Sequence, residues 1–125
     1  MAESEMGLHK IEKSFTKEIE ETKAKIYDGS LRSGNKIEFE GTIIVLGDIN
    51  AGAEVIAGEN VIALGTIRGL AHAGATGNKA AIIVANEILA PQLRIANIVK
   101  EIEKDEEQTE IKKRAYLKEE EIILE

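Results

Sequence analysis

The chain repeats itself every eighteen residues through its middle, and that period constrains the fold more than any single residue does. Laid over one another, Ile26 to Gly34 (IYDGSLRSG), Ile44 to Gly52 (IVLGDINAG) and Ile62 to Leu70 (IALGTIRGL) place Gly29, Gly47 and Gly65 in one column and Leu31, Ile49 and Ile67 in another. The register continues between them, with Ile37 and Phe39 eighteen residues before Val55 and Ala57. A period of this size, built from short β-branched runs punctuated by glycine, is the mark of a solenoid whose coils cover one another. Runs such as Thr42 to Leu46 and Ile82 to Val84 favour strands, and glycine every four to seven residues would weaken any helix. Eighteen residues at roughly 3.3 Å each, less the corners, describe three short sides around a dry interior. The expected fold is therefore all-β, a short parallel β-helix of triangular section. At its corners the column Gly29, Gly47, Gly65 reads as a stacked bend in which glycine takes positive φ.

Composition narrows the function classes. There are no cysteines, so disulfides and thiolate metal sites are excluded, and the scattered carboxylates form no metal-ligand cluster. No apolar run approaches the length of a membrane span, and MAESEMGLHK lacks the apolar stretch of a signal peptide. A net charge of −7, with two Phe and two Tyr, leaves neither the basic face nor the stacking platforms that nucleic acid requires. The organisation is read as residues 1–22, a charged lead-in or linker with Leu8, Ile11, Phe15 and Ile19 at helical spacing, followed by one β-helix domain over 23–125. Its charged stretch from Lys100 to Glu120 precedes a last apolar run, and Lys112–Lys118 with Glu119–Leu124 is expected to form a hairpin. Ala115, Leu117, Ile122 and Leu124 would then cover the final rung.

The three sides differ. Glu38, Glu40 and Glu54 alternate with the apolar positions of one side, which gives it a wetted outer surface. On another, both parities are apolar: Ile43, Ile44, Val45 and Leu46, then Val61, Ile62 and Leu64, then Ile82, Ile83 and Val84. Whichever parity turns inward, the other leaves an apolar strip facing out, and a homodimer through this side is the simplest explanation. The remaining corner carries Arg32, Ser33, Gly34 and Asn35, with Asn50 and Arg68 eighteen and thirty-six residues after Arg32. A polar corner on a rigid scaffold is where recognition loops sit.

Residues 31 to 75 (LRSGNKIEFEGTIIVLGDINAGAEVIAGENVIALGTIRGLAHAGA) resemble the C-terminal domain of MinC, the septum-site-determining inhibitor of bacterial division. The likeness runs on through Lys79 to Ile98 and covers roughly residues 22 to 124. The resemblance implies a right-handed β-helix that forms a homodimer, has no catalytic activity and needs no cofactor. It implies binding to the membrane-associated ATPase MinD and a contribution to contact with the tubulin-like protein FtsZ. The protein would then be cytoplasmic and reach the inner face of the membrane only through MinD. The family's MinD-binding signature, Arg-Ser-Gly-Gln, falls on Arg32, Ser33, Gly34 and, with one methylene fewer, Asn35. The family also has a separate N-terminal domain acting on FtsZ filaments, which the first 22 residues do not supply, so the chain is expected to be a fragment or a short form keeping the targeting half.

Two other classes share stacked coils. In a hexapeptide acyltransferase His72 would serve as general base, but glycine spacings break the hexad and the third coil slips to twenty-one residues (Val61 to Ile82, Ile67 to Ile88). One coil back, His72 is expected to meet Glu54, which reads as an ordinary surface pair. Gly74 to Lys79 (GATGNK) lacks the Gly-Lys-Ser/Thr ending of a phosphate loop and is read as the insertion that makes the slip. A bactofilin-like polymer would need a terminal rung free to stack, which the charged tails discourage.

Overall fold

The computed structural model describes residues 23–103 and 110–125, and these form a parallel β-solenoid whose described residues contain strands and no helix. The expected lead-in over 1–22 and part of the charged stretch lie outside the described residues. The first side is a six-stranded sheet, β1 (Ala24–Tyr27), β3 (Thr42–Val45), β5 (Val61–Ala63), β8 (Ile83–Val84), β12 (Arg114–Lys118) and β13 (Glu121–Leu124), in that order. The third side is the five-stranded sheet β2 (Lys36–Phe39), β4 (Glu54–Ala57), β7 (Leu70–Ala73), β10 (Gln92–Ile95) and β11 (Ile98–Glu101). Between them the second side is a narrow ladder, the bridges Leu31 to Ile49 to Ile67 continued by β6 (Thr66–Ile67) on β9 (Glu87–Ile88).

Pairing follows the eighteen-residue period wherever the period is intact. Ile26 faces Ile44, Ile43 faces Val61 and Val55 follows Ile37. Two departures break it. On the third side Val55 faces Ala71, a step of sixteen, because the third coil crosses its corner in two residues, Arg68 and Gly69. The segment from Gly74 then lengthens the next step: Val61 faces Ile83 and Ala71 faces Leu93 at twenty-two residues, while Ile67 faces Ile88 at twenty-one. The expected partner of Val61, Ile82, is thus displaced by one residue, and it is Ile83 that lies in the core.

The interior is filled by one or two residues per side per coil, with alanine where the coil narrows, as at Ala71 and Ala73. Leu31, Ile49 and Ile67, Ile43 and Val61, and Val55 with Leu93 are all inaccessible to solvent. Corners are stitched by side chains that satisfy backbone groups of the next coil. The Asp48 N–H donates to Ser30 Oγ (2.8 Å) and the Thr66 N–H donates to Asp48 Oδ1 (2.7 Å). At another corner Asn60 Nδ2 donates to the Thr42 hydroxyl (3.3 Å) while its Oδ1 accepts the Ile82 N–H (2.9 Å).

The glycine column has a different cause from the one its repetition suggests. Gly29 has positive φ (+124°), but Gly47 and Gly65 do not. They are glycine because the preceding coil passes too close: a Cβ at Gly65 would lie 2.0 Å from Asp48 Oδ1 and 2.9 Å from the Gly47 carbonyl. The C-terminal hairpin forms as expected, with Ala115 and Ile122 buried and Leu117 and Leu124 packed against the core. Its two-residue turn, Glu119–Glu120, has φ of +53° and +64°, the geometry that matches the twist of antiparallel strands.

Candidate functional site

The corner between the second and third sides is built from repeated tight turns. Arg32–Asn35 is closed by the Asn35 N–H donating to the Arg32 carbonyl (2.9 Å), with Gly34 at φ +91°. Positive φ at the third of four residues defines a type II turn and explains the glycine. One coil on, Asn50–Ala53 repeats it: the Ala53 N–H donates to the Asn50 carbonyl (3.0 Å) and Gly52 has φ +86°. The two turns lie in contact, since the Gly34 N–H donates to the Gly52 carbonyl (3.0 Å) and a Cβ at Gly52 would meet Ser33 Oγ at 2.4 Å.

This stacking brings the four predicted residues together on an exposed, rigid projection. Arg32, Ser33, Gly34 and Asn35 are all exposed, and Arg32 makes no ion pair with another described residue. The Asn35 side chain folds back, its Oδ1 accepting the Arg32 N–H (2.8 Å), so the shorter amide braces its own turn and leaves its N–H2 group outward. Asn50 is tied down as well, Nδ2 donating to the Leu31 carbonyl (2.9 Å). Arg32 therefore stands as a cation on a prepaid geometry, with little backbone freedom to lose on binding.

The ten residues of the doubly apolar side are divided by the first sheet. Ile43, Val45, Val61 and Ile83 point into the coil and are fully buried, where they cannot touch a partner. Ile44, Leu46, Ile62, Leu64, Ile82 and Val84 lie on the outer face, Leu46 41% and Leu64 59% exposed. Sequence reasoning missed Ile26, paired outward with Ile44 and 63% exposed, although its place in the repeat column was a sufficient signal. Of six large apolar residues exposed among the described residues, Ile26 lies in this sheet and Leu46 and Leu64 directly follow its strands β3 and β5, so the exposure is a patch rather than scatter.

His72 is not beside Glu54. The sixteen-residue step puts Ile56 and Arg94 at its sides and Leu70 opposite Glu54. Its Nε2 lies 2.8 Å from the Ala96 carbonyl, which can only accept, so that nitrogen carries the proton and holds the β10–β11 turn. Gly74–Lys79 is the insertion, and its lysine pairs with Glu120 Oε1 at 2.9 Å. Among the described residues no group of three or more His, Asp or Glu could hold a metal ion, and no helix is long and apolar enough to cross a membrane.

Comparison with known proteins agrees with this geometry. A family model described as "Septum formation inhibitor MinC, C-terminal domain" matches residues 25–125. A probable septum site-determining protein MinC of Persephonella marina is 38% identical over 90% of this chain and 56% of its own length. Another, of Caldanaerobacter subterraneus, is 42% identical over 85% of this chain and 50% of its own length. The chain spans about half the length of these curated relatives. Among solved structures, a chain of a "MinC:MinD cell division protein complex" of Aquifex aeolicus matches with a TM-score of 0.76 and 35% identity, over 83% of this chain and 86% of that one.

Proposed function

The chain belongs to the family of MinC C-terminal domains, and from that premise we propose that it is the non-catalytic dimerisation and targeting part of a division-site inhibitor. In this reading it docks on the membrane-associated ATPase MinD, reaches the inner face of the membrane only in that company, and assists in keeping FtsZ from assembling at wrong sites. The observation that carries the reading is the stacked pair of type II turns that holds Arg32 outward beside Ser33, Gly34 and Asn35. The similarity to a chain solved in a MinC:MinD complex supports the same partner. A guanidinium meeting a carboxylate or carbonyl in a desolvated contact contributes about 1.5–3 kcal/mol, enough to decide between bound and free at cellular concentrations.

Dimerisation uses the outer face of the first sheet, with Ile26, Ile44, Leu46, Ile62, Leu64, Ile82 and Val84 as its apolar stripe. A two-fold contact is self-complementary and removes the whole stripe from water at once. The chain mixed with cognate MinD, ATP and liposomes is expected to sediment with the vesicles, and Arg32→Ala to remain in the supernatant while still a dimer. Undiminished sedimentation of Arg32→Ala would overturn the assignment of the corner.

A further inference from the structure

The Arg32 corner continues along the same edge of the solenoid, and the edge changes character below it. The residue following the second-side ladder in each coil is fixed by register: the Asn50 N–H donates to the Leu31 carbonyl (3.1 Å), the Arg68 N–H to Ile49 (2.7 Å) and the Leu89 N–H to Ile67 (2.8 Å). Arg32, Asn50, Arg68 and Leu89 therefore form one column. Two rungs at about 4.8 Å each separate Arg32 from Arg68.

The third coil lacks the projecting turn of the two before it. Gly69 tucks under the second turn so closely that a Cβ there would lie 2.5 Å from both the Asn50 and Ala53 carbonyls. Below Ala51 lies a groove of about 590 Å³, its apolar wall formed by Leu89, Pro91, Ile102 and Ile111, with Arg68 and Lys112 and the carboxylates of Glu87, Glu103 and Glu110 also lining it. Leu89 is 53% and Ile111 58% exposed, so the groove presents apolar surface directly below a cation. Size and lining suit one or two large apolar side chains, and its upper edge is the underside of the turn that contacts Ser33 and Gly34.

We propose that the partner surface docking on the Arg32 corner extends down this edge, placing an apolar side chain in the groove and a carbonyl or other hydrogen-bond acceptor against Arg68. The proposal rests on the reading that the corner binds MinD. A partner footprint centred on Arg32 reaches the next two rungs once it is about 20 Å across, and an interface of ordinary size, about 800 Å² per partner, is wider than that. The apolar anchor beside a cation is the arrangement in which binding energy concentrates.

The test uses the whole chain with cognate MinD and ATP, comparing Arg32→Ala, Arg68→Ala, Leu89→Asp and Ile111→Asp by titration. The substituted side chains are exposed, so folding and dimer mass, checked by circular dichroism and sedimentation, are expected to be unchanged. Leu89→Asp and Ile111→Asp are expected to weaken binding at least fivefold, and Arg68→Ala to weaken it more than twofold. If Arg32→Ala abolishes binding while the other three stay within twofold of the parent, the groove proposal fails and the corner reading stands. If Arg32→Ala binds normally while the groove variants are weakened, the corner reading fails and the groove remains a contact. Loss of the dimer in Leu89→Asp would assign the groove to a second copy of the chain. At least tenfold tighter binding on deleting residues 1–22 would assign it to the chain's own leading segment. Either result overturns the proposal.

Discussion

Ile49→Ala tests the physical basis of the recognition corner. Ile49 is fully buried, bridges Leu31 on one rung and Ile67 on the next, and precedes Asn50, the first residue of the second turn. Truncation removes three carbons, a transfer loss of roughly 2.4 kcal/mol at about 0.8 kcal/mol each. The following coil is hydrogen-bonded to the Ile49 backbone through the Thr66 carbonyl (3.0 Å) and the Arg68 and Gly69 amides (2.7 and 3.0 Å). The preceding coil holds the residues on either side, the Leu31 N–H donating to the Asp48 carbonyl (2.8 Å) and the Asn50 N–H to the Leu31 carbonyl (3.1 Å), so the site collapses little. A residual cavity of roughly 50 Å³ at about 24 cal/mol per Å³ adds about 1.2 kcal/mol. The expected loss is about 3.6 kcal/mol, read as a shift in the urea midpoint at unchanged slope and repeated at several protein concentrations, because association with a second copy would add to apparent stability. Ile44→Ala, on the half-exposed outer face of the neighbouring sheet, is expected to cost at most about 1 kcal/mol when extrapolated to the dissociated chain. An Ile49→Ala protein within about 1 kcal/mol of the parent would refute the dry, tightly stacked interior from which the corner draws its rigidity.

Leu64→Glu places a charge in the exposed apolar stripe, and sedimentation equilibrium is expected to return the mass of a single chain with an unchanged circular dichroism spectrum; a persistent dimer would exclude this face. Gly65→Ala, whose Cβ would collide with Asp48 Oδ1, is expected to lose about 1–3 kcal/mol in urea unfolding, as overpacked sites do. Gly29→Ala, with open space but φ +124°, is expected to lose about 1–3 kcal/mol through backbone strain alone, whereas Asp48→Ala should recover part of the Gly65→Ala loss, and no recovery would reject close approach as the reason for Gly65. Replacing Glu119–Glu120 by Asn-Gly relieves two positive φ values on glutamate at the loss of one exposed pair to Lys79, and should raise the thermal midpoint, with a gain of about 1–2 kcal/mol. A lowered midpoint would show that the Lys79 pair outweighs the strain.

The eighteen-residue column of Ile26, Ile44 and Ile62, and that of Leu31, Ile49 and Ile67, was legible because a coil can stack on itself only if like residues recur at the same angular position. The corner Arg32–Asn35 was legible as a turn, and its glycine carries the positive φ that a type II turn demands. What local pattern could not supply was anything that depends on how three sides close around one interior. Both parities of Ile43–Leu46 are apolar, so only the fit of Ile43 and Val45 against the other two sides decides which residues turn in and which form the outer stripe. Gly47 and Gly65 look like bends in sequence, but closeness to the coil beneath explains them, a distance no single coil contains.

The sequence alone determined that this chain is a stack of short parallel strands with a polar turn at a fixed corner, since periodicity and glycine placement are properties of each coil. Tertiary structure alone decided the cut third corner and the groove below it. The two residues missing there are followed by a longer insertion, so their effect on the edge exists only once Gly69 is packed beneath the turn of the preceding coil.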